Sequence, residues 1–89
     1  MSGSGGRSYV EDVKRILESV KGQPGLAARL ADDASIVDDV GLDSLEMMEF
    51  MLEVESRLGL QIDFDRMDFE LVRSIAAFSE FLLGMKARG

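Results

Sequence analysis

The chain has 89 residues, 46% of them hydrophobic, and carries 17 acids against 10 bases for a net charge of −7. That length holds one small domain, its apolar share argues against disorder, and its charge repels nucleic-acid phosphates and anionic lipid headgroups. The absence of cysteine and histidine removes disulfides, thiolate metal sites, thiol catalysis and any histidine base.

The Gly/Ser-rich start, Met1 to Gly6, reads as a flexible tail or an expression remnant. Residues 1–7 are therefore set aside, a folded domain is expected over 8–84, and 85–89 reads as a disordered C-terminus. Ser8 with Glu11 three residues on forms a capping-box pattern that predicts a helix start near Tyr9. Val10, Val13, Ile16, Leu17 and Val20 recur at helical spacing, with Glu11, Lys14, Arg15 and Glu18 on the other side. Gly22, Pro24 and Gly25 end that helix.

Between Leu26 and Gly41 the signal weakens. Leu26 and Leu30 suit one helical turn, and Ile36 and Val37 suit apolar pins that hold a long loop onto the core. A second main helix is predicted over Ser44 to Leu58, with Asp43 as N-cap, Glu46 completing the box and Gly59 supplying the stop. Leu60, Ile62 and Phe64 alternate like a strand, but a lone strand has nothing to pair with. The reading is an extended connection, then a short helix around Asp65 to Leu71. Ser74 caps a last helix bearing Ile75, Phe78, Phe81 and Leu82, which ends at Gly84. The fold class is all-α: a bundle of three main helices plus one short helix, with a long loop between the first two main helices. No apolar run approaches the roughly 20 residues needed to span a bilayer, so the expectation is a monomeric, cytoplasmic protein with no membrane or nucleic-acid partner.

Ser44 draws attention because Asp38, Asp39, Asp43, Glu46 and Glu49 crowd around it. A catalytic serine needs a base and oxyanion donors, and Lys14, Lys21 and Lys86 belong to no Ser-Lys pattern, so hydrolysis by this chain alone is not the reading. A serine at a helix start is usually a cap. Asp43 is the better cap here, which frees the Ser44 hydroxyl, and a helix N-terminus favours a phosphate group.

The helix behind Ser44 carries a second signal. With Leu45 at 0°, Met47, Phe50, Met51, Val54 and Leu58 fall between about 140° and 240°, an ordinary core stripe. Glu46, Glu49 and Glu53 lie between about 40° and 100°, while Leu45, Met48 and Leu52 lie near about 0°, 300° and 340°. Either the helix is buried on two sides, or Leu45, Met48 and Leu52 form a partner-docking strip flanked by steering acids. Full two-sided burial is hard to arrange in so small a bundle, which favours docking.

The stretch VGLDSLEMMEFMLEVESRLGLQI, 40 to 62, resembles the core of acyl carrier proteins, the phosphopantetheine-bearing carriers of fatty-acid and polyketide synthesis. Asp43, Ser44 and Leu45 match the family's Asp-Ser-Leu hallmark, with Gly41 in place. Ile36 and Val37 precede it, an acidic helix follows, then the Gly59 to Ile62 connection and a final helix opened by Ser74. The resemblance implies that Ser44, flanked by Asp43 and Leu45, takes 4′-phosphopantetheine from coenzyme A through a separate phosphopantetheinyl transferase. The arm's thiol would then carry an acyl group as a thioester, and the chain itself would not be an enzyme. It further implies that Leu45, Glu46, Met48, Glu49, Leu52 and Glu53 dock on loading ligases, synthases or transferases with basic patches.

The cargo is open at this level. Aspartate at position 43 favours an acyl or polyketide-type carrier over a peptidyl one. Leu42 and the stretch IDFDRMDFE, 62 to 70, depart from the plain fatty-acid pattern, and the latter is also similar to stand-alone carriers loaded with amino acids. Two further readings belong to other classes. Asp32, Asp33, Asp38, Asp39, Asp63 and Asp65 suggest a divalent cation site, but DDASIVDDVGLD lacks EF-hand spacing, so no metal site is assigned. An unmodified adaptor could use the same Leu45, Met48 and Leu52 strip to bind a partner.

Overall fold

The computed structural model describes residues 8–87. The expected flexible start at 1–7 lies outside the described residues. The chain forms α1 (Val10–Lys21), α2 (Leu26–Arg29), α3 (Ser44–Leu58) and α4 (Ile75–Leu83). Two 3-10 segments, Phe64–Arg66 and Phe69–Arg73, connect α3 to α4. The architecture is the expected all-α bundle, with α1 packed against α2, α3 and α4.

Apolar spacing built the core. Val13, Ile16 and Leu17 of α1 meet Phe50, Met51 and Val54 of α3 and Ile75, Phe78 and Leu82 of α4, all of them buried. Each such side chain contributes about 1.5–3 kcal/mol by leaving water. Phe50 and Phe78 join α3 to α4, their ring centroids 5.3 Å apart and tilted by 41°. The tilt suits the ring quadrupoles better than a face-to-face stack.

The loop between α2 and α3 behaves as the sequence predicts. Ile36 is fully buried and Val37 half-buried, and the backbone is stitched to the far end of the bundle. The Ile36 N–H donates to Val72 O at 2.9 Å, Ile75 N–H to Ala34 O at 2.9 Å, and Ala76 N–H to Asp32 O at 2.8 Å. These bonds satisfy backbone groups that a buried loop would otherwise leave unpaired.

Four local expectations are corrected. Tyr9, not Ser8, holds the cap position of α1, so Glu11 falls one residue short of the box and the Ser8 hydroxyl accepts from Val10 N–H at 3.1 Å. Lys14 is not on the solvent side: only 6% exposed, it lies at the border of the apolar stripe, where its long stem can be covered. The single short helix around Asp65 to Leu71 is two 3-10 turns, because Asp63 and Asp68 each accept a hydrogen bond from the residue two positions on and start a new turn. Finally, Leu60–Gln61 does find a strand partner. It pairs antiparallel with Lys86–Ala87, part of the segment expected to be disordered, in the register Leu60 to Ala87 and Gln61 to Lys86. The turn at Gly84 returns the chain alongside Leu60, a proximity set by tertiary packing.

Candidate functional site

Gly41, Leu42 and Asp43 deliver the chain to α3. Gly41 adopts φ +77°, a left-handed conformation that glycine reaches without the Cβ penalty. Leu42 is buried and anchors the approach. Asp43 then caps the helix: its Oδ1 accepts from Glu46 N–H at 2.8 Å, while Glu46 Oε1 accepts from Asp43 N–H at 3.2 Å. The capping box expected from the sequence is complete.

This division of labour leaves Ser44 exposed, its hydroxyl without a hydrogen-bond partner among the described residues. The Asp43 carboxylate serves the Glu46 N–H, so the N–H groups of Ser44 and Leu45 stay outside the intrahelical ladder at the positive end of the helix dipole. A phosphate ester on Ser44 fits there. It needs no burial, displaces no cap and meets a favourable field.

The two-sided burial alternative does not hold. Phe50, Met51 and Val54 face the core, whereas Leu45, Met48 and Leu52 are 64%, 61% and 60% exposed. They form an apolar strip leading away from Ser44, and Leu52 borders a shallow groove of about 290 Å³ shared with Glu49, Glu53, Ser19 and Val20.

The three acids of that face are placed differently from one another. Glu49 is exposed and forms no ion pair among the described residues. Glu53 Oε1 accepts from Arg57 Nε at 2.7 Å, and Arg57 also reaches Ser19 Oγ at 3.1 Å. Glu46 is half-buried and pairs with Lys21 at 3.2 Å, the lysine Nζ also lying 3.4 Å from Gly41 O. The Glu53–Arg57 spacing of four was readable from the sequence. Nothing in the sequence announced Lys21, which lies 25 residues before its partner. Among the loop acids, Asp39 is exposed and its carboxylate accepts from Ser35 N–H at 2.7 Å.

Residues 13–82 match the family model described as "Phosphopantetheine attachment site". The chain belongs to the acyl carrier protein family. An acyl carrier protein of Solidesulfovibrio magneticus is 35% identical over 74 residues, spanning 82% of this chain and 92% of its own. One from Thermobifida fusca is 27% identical over 70 residues, covering 78% of this chain and 86% of its own. A third, from Nitratidesulfovibrio vulgaris, is 37% identical over 59 residues, covering 65% and 74% respectively. No solved structure matches the chain.

Members of this acyl carrier protein family are non-catalytic carriers with a covalently attached 4′-phosphopantetheine. When bound, the arm supplies a thiol on which an acyl group is held as a thioester, which is how a chain without cysteine takes part in that chemistry. The family works with phosphopantetheinyl transferases and acyl-processing enzymes. No helix among the described residues is long and apolar enough to cross a membrane.

Proposed function

We propose that Ser44 is the attachment point of 4′-phosphopantetheine and that a separate transferase installs the arm from coenzyme A. The observation that carries this reading is the exposed, unengaged Ser44 hydroxyl beside an Asp43 that already caps the helix. In the transfer, Ser44 Oγ attacks the β-phosphorus of coenzyme A and the phosphoanhydride bond breaks. Adenosine 3′,5′-bisphosphate leaves, and the hydroxyl proton passes to a base on the transferase. The carrier contributes the nucleophile and its presentation, and the catalytic base comes from its partner.

The exposed strip of Leu45, Met48 and Leu52, with Glu49 beside it, addresses the carrier to partners that present apolar sockets ringed by basic residues. Those partners are the transferase and the ligases, synthases or transferases that load and use the thioester. We place the carrier in polyketide or other secondary-metabolite synthesis or in fatty-acid synthesis, in the cytoplasm. The aspartate before Ser44 and the relatives' shared name support acyl over aminoacyl cargo.

Intact mass after incubation with coenzyme A and a broad-specificity phosphopantetheinyl transferase tests the reading. The wild type gains one phosphopantetheine and Ser44→Ala gains none. No gain in the wild type, or equal gain in both, overturns it and leaves the unmodified adaptor.

A further inference from the structure

We propose that Lys21 is a positioning residue that latches the loop presenting Ser44. This rests on Ser44 being the attachment serine. At the C-terminal end of α1, Lys21 Nζ reaches three acceptors on the opposite segment: Glu46 Oε1 at 3.2 Å, Glu46 Oε2 at 3.4 Å and Gly41 O at 3.4 Å. The pair is partly shielded, with the lysine side chain 17% exposed and the glutamate 26%. Glu46 Oε1 simultaneously accepts the Asp43 N–H, and Asp43 Oδ1 returns the bond to the Glu46 N–H. One ammonium group therefore fixes both ends of the six-residue approach from Gly41 to Glu46 on either side of Ser44.

The latch has a thermodynamic purpose. Gly41 carries no side chain, and Leu42 is the apolar anchor between it and the helix. Without Lys21 the segment samples arrangements in which Ser44 is not correctly offered. A transferase that accepts one arrangement then binds with an affinity reduced by the populated fraction. The latch also engages Glu46 within the domain. With Glu53 held by Arg57, Glu49 is the acid of the docking face that meets a basic partner without first breaking an ion pair among the described residues.

Lys21→Met keeps the stem and removes the ammonium, and Lys21→Arg restores a cationic donor. Transferase kinetics with coenzyme A and amide hydrogen exchange across residues 41–46 give two independent readouts. Lys21→Met is expected to raise the carrier's KM about five-fold with kcat within about two-fold, and to speed exchange in that segment but not in α4. Lys21→Arg recovers both.

A simple charge effect has the opposite sign, because removing a cation makes the carrier more attractive to a basic enzyme and lowers KM. Wild-type KM and exchange in Lys21→Met, or a lowered KM with unchanged exchange, overturns the latch. Failure of the wild type to be modified sinks the Ser44 reading instead, and the exchange data still judge whether Lys21 orders the loop.

Discussion

Lys14 Nζ lies 2.7 Å from Asp32 Oδ1, and the lysine side chain is 7% exposed whereas that of the aspartate is 72% exposed. The asymmetry of exposure gives the two residues unequal roles. Lys14 has given up most of its hydration, and Asp32, which remains in water, is its near partner, with Glu11 farther off at 3.8 Å. The Asp32 carbonyl also accepts from Ala76 N–H at 2.8 Å, so the same residue ties the long loop to both α1 and α4.

Removing either partner should therefore differ in cost. Asp32→Ala strands a largely buried ammonium and is expected to lower stability by about 1–2 kcal/mol, less than for a fully buried pair because Asp32 is solvated. Lys14→Met replaces the charge with an apolar stem of similar length and is expected to cost under about 1 kcal/mol. Urea midpoints at unchanged m-value measure both. Equal losses in the two variants would show that the pair itself is not the source.

Ser79 presents the opposite case. Its hydroxyl is buried with no hydrogen-bond partner among the described residues, on the core side of α4. Ser79→Ala removes a desolvated polar group with little change of volume and should stabilise the fold by about 0.5–1 kcal/mol. A raised midpoint in denaturant confirms this, and a destabilised variant would mean that the hydroxyl is satisfied in solution.

Gly41→Ala tests the backbone that leads to Ser44. A Cβ at this position meets nothing within 4 Å, so the expected cost comes from the left-handed φ of +77° and not from a clash. That cost is about 1–2 kcal/mol, and Gly41→Asn should lose less because asparagine tolerates this conformation better. Thermal unfolding of the pair of variants distinguishes them. Equal losses would point to a steric cause.

Leu45→Ala, Met48→Ala and Leu52→Ala should each leave stability within about 0.5 kcal/mol of wild type, since all three side chains are already solvated. Partner turnover should fall in each. Glu49→Lys should slow association with a basic partner, and the difference should shrink as salt rises. A large stability loss at Leu45 would contradict its exposure, and salt-independent kinetics at Glu49 would contradict steering.

The local rules were strongest where a signal was contained within a few residues. The span of α3, its Asp43–Glu46 box and its Gly59 stop were all legible, because capping and termination depend on neighbours in the chain. So was the pinning role of Ile36, an apolar residue set between the acidic pairs Asp32–Asp33 and Asp38–Asp39 of the loop. Two of the four corrections share a cause, a partner distant in sequence. The Leu60–Gln61 strand depended on Lys86–Ala87, and the burial of Lys14 depended on Asp32, 18 residues away.

The sequence by itself determined an acidic helical carrier with Ser44 at the head of its second main helix, because period, cap and motif are written along the chain. Tertiary structure decided which of its charges remain available to a partner. Helical angle placed Glu46, Glu49 and Glu53 on one face as equals. The packing of α1 against α3 then brought Lys21 to Glu46, and the Arg57 that holds Glu53 to Ser19, leaving Glu49 without an ion pair among the described residues. Angle around a helix is a local property, whereas ion pairing across helices depends on which residues the fold brings within reach.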